Sequence, residues 1–184
     1  MESKLRPPDE IATSRLRLRV PTLADAPVIF ERWTQDPDVT RYLVWMPHRN
    51  VDESKSHIRR CLAGWESGKS FTWFIETLTT QSLVGSIAAR DQPHGINLGY
   101  LLARNAWGKG YMAEAVDAVA AWFLSQPTVE RVWATCDVEN AASARVLAKA
   151  GFDLEGTLRR WDVHPNLGEK RRDALCYSRI RDGS

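Results

Sequence analysis

The chain has 184 residues, 43% of them hydrophobic and 26% charged, with a formal net charge of +2. That size suits one domain with a sizeable core, the composition excludes a disordered chain, and the charge is too small to mark a nucleic-acid binder. Three cysteines, Cys61, Cys136 and Cys176, stand far apart without metal-ligand spacing, which points to a reducing compartment and to no metal site. No apolar run approaches a spanning length, and MESKLRPPDE lacks a signal-like stretch. A soluble cytoplasmic protein is expected, with neither membrane nor nucleic acid as partner.

Residues 1–12 read as a loose arm before a single domain over 13–181. The alternation in RLRLRV predicts a strand over 15–20. Helix-spaced Val28, Ile29 and Trp33 follow, and Asp36-Pro37-Asp38 restarts the chain as a second short helix with proline at its first position. A longer helix is expected over 52–66, with Ile58, Leu62 and Trp65 on one stripe. Strands over 71–76, 83–90 and 96–103 are joined by short connections, so they form an antiparallel meander. The pattern then changes to helix 110–124, strand 131–137, helix 141–150 and strands 153–162 and 172–181. The class is α+β: one mixed, mostly antiparallel sheet of about seven strands flanked by helices. A doubly wound dinucleotide fold is disfavoured, because it alternates strand and helix from the start.

The stretch Asn105-Ala-Trp-Gly-Lys-Gly110 stands where a strand hands over to a helix. A helix N-terminus offers unpaired N–H groups and partial positive charge, and glycines let a backbone approach an anion closely. Gly108, Lys109 and Gly110 suit a phosphate cradle; taken alone, the glycines suit a plain connector equally well. Neither G-x-G-x-x-G nor G-x-x-x-x-G-K-[ST] is present. A second cluster is Asn140-Ala-Ala-Ser143-Ala-Arg145-Val-Leu-Ala-Lys-Ala-Gly151-Phe152. Asn140 is a good N-cap, and Gly151 a good residue just past a helix end.

Together the two motifs resemble the acyl-CoA site of the GNAT family of N-acetyltransferases. The phosphate-loop pattern there is Gln/Arg-x-x-Gly-x-Gly/Ala; this chain matches both glycines and departs at Asn105. The opening Thr13-Ser-Arg-Leu-Arg-Leu-Arg19, the strand Leu98-Gly-Tyr-Leu-Leu102 and the Asn-x-x-Ser helix are similar to the branch containing the ribosomal-protein N-terminal acetyltransferases. The resemblance covers residues 13–180. It implies two splayed strands with acetyl-CoA as co-substrate in the gap between them. It places the phosphates on Asn105, Trp107, Gly108, Lys109, Gly110, Tyr111 and Met112, with Asn140, Ser143 and Arg145 alongside. It places pantetheine on the backbone of Leu102 and Ala103, with a backbone N–H near Leu101 polarising the thioester.

The same resemblance makes Ser143 the candidate general acid for the departing thiolate, against a plain helix-end hydrogen bond. Many relatives carry a Glu base where Asn97 stands here. Asn97 cannot take a proton, so a water chain to Glu76, Asp91, His94 or Asp162 is the alternative. The missing carboxylate mildly favours an α-amine, with pKa near 8, over a lysine amine. Acceptor contacts are assigned to Trp33, Trp45, Trp73 and Arg90. The expected activity is direct acetyl transfer to a primary amine, on a protein N-terminus or a small molecule, by a monomer or homodimer. The rival is an acyl-CoA-binding sensor without turnover. Residues 161–173 read as a hairpin loop over the pocket or a subunit contact.

Overall fold

The computed structural model describes residues 5–181. Eight strands form one sheet: β1 (Glu10–Ala12), β2 (Leu16–Arg19), β3 (Ser70–Thr77), β4 (Leu83–Gln92), β5 (Gly95–Leu102), β6 (Arg131–Asp137), β7 (Asp153–Val163) and β8 (Arg171–Ile180). Their order is β1-β2-β3-β4-β5-β6-β8-β7. Every neighbouring pair is antiparallel except β5–β6. The strand beyond the seven expected is β1, which lies inside the stretch expected to be a loose arm. It pairs with β2, and Pro8 just before it accepts a 3.0 Å hydrogen bond from the Trp73 indole. Residues 1–4 of that arm lie outside the described residues.

Among the described residues five helices cover the sheet: α1 (Ala26–Ile29), which runs on as a π-turn over Phe30–Thr34, α2 (Pro37–Thr40), α3 (Val51–Ser67), α4 (Tyr111–Leu124) and α5 (Ala141–Lys149). Local chemistry sets their ends. Asp36 caps α2 through the Asp38 N–H, with Pro37 at the first helical position. Asn50 caps α3 through the Glu53 N–H, and Gly68 closes it at φ 70°, a left-handed angle that glycine reaches without strain.

Two apolar layers hold the helices to opposite faces. On one face Phe71, Trp73, Ile75, Ile87 and Leu98 pack with Met112, Val116, Val119 and Phe123 of α4 and Leu147 of α5. On the other, Phe74 and Leu83 pack with Ile29, Trp33, Val39 and Ile58. Alternation along each strand keeps the layers separate: on β5, Leu98, Tyr100 and Leu102 join the first layer and Leu101 the second. The β2 ladder reaches only Phe74 to Thr77 on β3, and the Trp65 indole meets the Thr72 carbonyl left beyond it at 2.8 Å. Among the described residues no helix is long and apolar enough to cross a membrane.

Candidate active site

The one parallel pair in the sheet is short. β5 and β6 are in register only at Ile96–Val132 and Asn97–Trp133, and beyond these they diverge. The Ala103 N–H donates to the Val84 carbonyl at 2.8 Å. Hydrogen-bonded pairs alternate along an antiparallel ladder, so Asn97, Gly99 and Leu101 turn their backbone groups to β4. Leu98, Tyr100 and Leu102 turn theirs toward β6; the bridge to Trp133 takes up the Leu98 N–H, and Tyr100 and Leu102 face the opening. This corrects two expected contacts. Leu101 cannot aim its N–H at a thioester, and Ala103 cannot pair with pantetheine, because its carbonyl also accepts from Ala106 N–H at 2.9 Å. Leu102 points the right way, and the Trp107 indole meets its carbonyl at 2.9 Å. The N–H groups of Tyr100 and Leu102 take the place expected of Leu101.

The glycine loop stands at the mouth of this opening. After β5 a 3-10 turn over Arg104–Ala106 leads to Trp107, and Gly108 and Gly110 both adopt left-handed angles, φ 76° and 78°. Gly110 caps α4 without a side chain, and the first helical bond runs from Glu114 N–H to the Gly110 carbonyl. The N–H groups of Tyr111, Met112 and Ala113 therefore have no partner within the helix. A Cβ at Gly108 would meet nothing within 4 Å; one at Gly110 would meet only Arg15 Nη2, at 3.5 Å. The cradle is open on the side an anion must use. Asn105, Lys109 and Arg145 are exposed, and Trp107 is 47% exposed.

Arg15 was not foreseen at this site. Its guanidinium donates to the Lys109 carbonyl at 3.0 Å and lies 5.0 Å from the Tyr111 ring centre. Glu114 in the first turn of α4 holds it there, accepting from Thr13 Oγ1, Ser14 Oγ, and Arg15 N–H and Nε. Burial pushes the Glu114 carboxyl up, but those hydrogen bonds outweigh it and hold the group below its ordinary value.

Asn140 caps α5 by accepting from the Ser143 N–H at 3.1 Å. That leaves the Ser143 hydroxyl for another partner, and Tyr100 of β5 supplies it: the two oxygens are 2.8 Å apart. Burial pushes the Tyr100 phenol well above its ordinary value, against the opposing pull of the Ser143 hydrogen bond. Tyr100 is therefore a neutral donor across the physiological range. Cys136 of β6 lies against the same serine, and burial raises its thiol as well. Ser143 thus joins β5, β6 and α5 across the opening. The signal for Tyr100 lay in LGYLL, where it alternates with the apolar residues of one face.

The opposite face of the splay carries Asn97 and Arg90. The Arg90 guanidinium reaches over Gly99, with Nη1 at 3.5 Å from Asn97 Oδ1. Beside it, Trp45 packs on His48 and His57, ring centres 5.1 and 6.1 Å away. His48 Nδ1 meets Ser54 Oγ at 2.8 Å. Burial, helped by the charges of His48, Arg60 and Arg90, lowers His57 to about 4, so it is neutral at pH 7. Two other expected acceptor contacts are corrected. Trp33 is 1% exposed with its ring edge-on to Phe74, and Trp73 is 0% exposed between Trp65 and Phe71. Both are core residues that no acceptor reaches.

Residues 161–173 form the end of β7, a turn and the start of β8, a hairpin whose tip reaches the loop before α3. Asn166 donates to the Thr40 and Trp45 carbonyls at 2.7 and 2.9 Å. Behind it His164 is 5% exposed, both ring nitrogens without hydrogen-bond partners, with Nε2 at 3.6 Å from Asp137 Oδ2. Arg172 Nε donates to the same oxygen at 2.5 Å. Of the four relay carboxylates and imidazoles, Glu76 is paired with Arg19 at 2.7 Å. Asp91 and His94 lie at the β4–β5 turn, beside the closed end of the splay. Asp162 lies on β7, in register with Arg172 and separated from β6 by β8.

A splayed parallel pair, a glycine cradle at a helix N-terminus and a capped serine across the gap define an acyl-CoA-type transferase site. Residues 15–153 match the acetyltransferase (GNAT) domain, and the chain belongs to that family. It is 31% identical over 157 residues to an uncharacterized N-acetyltransferase, p20, of Bacillus licheniformis, covering 84% of this chain and 88% of the relative. It is 32% identical over 154 residues to YoaA, an uncharacterized N-acetyltransferase of Bacillus subtilis strain 168, covering 82% and 86%. The fold superposes with a TM-score of 0.83 on the coenzyme A complex of RimL, a ribosomal L7/L12 α-N-protein acetyltransferase, at 20% identity over 95% of this chain and 99% of that one.

Proposed function

We propose that the chain is an acetyl-CoA-dependent N-acetyltransferase that transfers acetyl directly to a primary amine, on a protein N-terminus or a small molecule. The observation that carries this is the Ser143–Tyr100 pair at 2.8 Å, set between strands that part just beyond Asn97 and Trp133 and reached from the open glycine cradle. The names of the relatives support it.

The residues fit the co-substrate. Gly108 and Gly110 leave space for phosphates, the unpartnered N–H groups of Tyr111, Met112 and Ala113 point at them, and Lys109 and Arg15 add positive charge. The Leu98 carbonyl, the Tyr100 N–H and carbonyl and the Leu102 N–H suit amides laid along the strand. When bound, acetyl-CoA supplies an acyl thioester. The N–H of Tyr100 or Leu102 polarises its carbonyl. As the new C–N bond forms and the C–S bond breaks, Ser143 Oγ, oriented by the neutral Tyr100 hydroxyl, gives its proton to the leaving sulfur. The amine's own proton passes through water to Ser143 Oγ, which ends the step protonated. Thiolate leaves readily at a pKa near 8.5, so the acid is worth less here than for an alkoxide.

The test is release of CoA thiol from acetyl-CoA with N-terminal peptides, lysine peptides, free amino acids, polyamines and aminoglycosides. Amine-dependent release in one class is expected. Tight acetyl-CoA binding with silence across the panel favours the sensor reading, for which Asn97 in place of a carboxylate is the observation.

A further inference from the structure

The acceptor face of the splay carries an unneutralised cation. Arg90 stands on β4 opposite Asn97, and its side chain crosses β5 diagonally toward the opening. It can do so because residue 99 is glycine. A Cβ there would stand 2.9 Å from Nη1, 3.6 Å from Nη2 and 3.7 Å from Cζ. Cross-strand diagonal neighbours are close enough for such a reach, and an ordinary side chain at 99 would close it. Among the described residues no carboxylate pairs with Arg90: its partners are the amide oxygen of Asn97 at 3.5 Å and the neighbouring Cys61 thiol. Other arginines on this sheet are neutralised, Arg19 by Asp25 and Glu76, Arg131 by Glu155, Arg172 by Asp137 and Glu139.

The carboxylate acting on this face, Glu53 beside His48, is paired with Arg49. Arg60 of α3 lies near enough to act on both His57 and Cys61, and His57 is neutral at pH 7. Arg90 is exposed on this face, so its guanidinium is open to an arriving anion. A glutamate at 97 would neutralise Arg90 from within; asparagine leaves the charge for a ligand.

We infer that Arg90, held over Gly99, binds an anionic group of the acceptor, so that the preferred acceptor is a small primary amine bearing a carboxylate or phosphate. This rests on the transferase reading. Guanidinium favours those two groups because both accept its paired N–H donors. The geometry also bounds the spacing. Tyr100 and Leu102 stand one and three residues of strand from Gly99, about 3 to 10 Å, so anion and amine belong to one small molecule or to the first residues of one peptide.

The experiment measures CoA release with matched pairs that differ only in the anion: glycine and glycinamide, β-alanine and β-alaninamide, phosphoethanolamine and ethanolamine, and Glu-led and Gln-led peptides. The anionic member of at least one pair is expected to be preferred about 10-fold or more. Arg90→Gln should erase that preference by raising KM for the anionic member alone, Arg90→Lys should restore part of it, and Asn97→Glu should mimic Arg90→Gln. Acetyl-CoA affinity, read by calorimetry, should not change in any of them. The carboxylate and phosphate pairs tell the two anions apart. Equal use of both members, with Arg90→Gln affecting them alike, overturns the inference while transfer stands. If no pair turns over, titration of the CoA complex with the anionic compounds decides. Binding that Arg90→Gln removes supports the site; no binding overturns it. Failure to bind acetyl-CoA overturns the transferase reading and this inference together.

Discussion

The two faces of the splayed sheet are built differently. On the α4–α5 face the polar groups are paired within the chain: Ser143 with Tyr100, Asn140 with the Ser143 N–H, Glu114 with Thr13, Ser14 and Arg15. On the α2–α3 face Arg90, Asn97 and His57 face the opening with few partners. The first face is a fixed, satisfied lattice of hydrogen bonds; the second keeps bonding capacity that the protein itself leaves unspent. The comparison also separates two kinds of tryptophan: Trp33 fills the layer beneath the acceptor face, whereas Trp45 stands half-buried above it.

Breaking the layer beneath should have the largest effect. Trp33→Ala removes a fully buried indole from between α1 and Phe74 and should cost about 3–5 kcal/mol, seen as a large fall in the denaturant midpoint. The acceptor face should also carry an acid sensitivity that sets in at higher pH than the one Glu114 gives the donor face. Burial lowers His57 from its ordinary value of 6.5 to about 4 in the folded chain, so the unfolded chain binds the extra proton first. Stability is fully present above pH 6.5 and falls as pH drops toward 4, by up to about 3 kcal/mol. His57→Gln should flatten thermal-melt midpoints over that window; an unchanged slope would place the sensitivity elsewhere.

On the donor face, Gly110→Asp puts a carboxylate in the cradle beside Arg15 while remaining tolerable at a left-handed angle. Acetyl-CoA affinity should fall about 100-fold with melting little changed. Ser143→Ala should have a smaller effect, and one of a different kind. It removes the proton donor but leaves the Asn140 cap, so kcat should fall about 10- to 100-fold with acetyl-CoA affinity intact.

Much of the donor face was legible in the sequence because local chemistry writes it. Asn105–Gly110 and Asn140–Ser143 are short runs whose caps and left-handed angles are set by neighbouring residues, and both fold as expected. The meander and the last hairpin followed from alternation and short connections. What the sequence concealed depends on partners far along the chain. Which β5 residues turn their backbone to the splay depends on register with β4, so Leu101 and Ala103 were expected where Tyr100 and Leu102 stand. Tyr100 meets Ser143 across 43 positions, and Arg15 meets Glu114 across 99. Trp33, Trp45 and Trp73 look alike in sequence, since an indole suits a core and a pocket wall equally. The strand Glu10–Ala12 was missed because three residues carry too little period to mark an edge strand.

The most direct test of the central claim, that acetyl transfer takes place in the β5–β6 opening, is amine-dependent CoA release by wild type and Ser143→Ala on the best acceptor, with acetyl-CoA affinity measured on both. The account expects a kcat lower by 10-fold or more in Ser143→Ala with the affinity unchanged. Equal turnover in the two proteins, or a loss explained wholly by weaker acetyl-CoA binding, would contradict it.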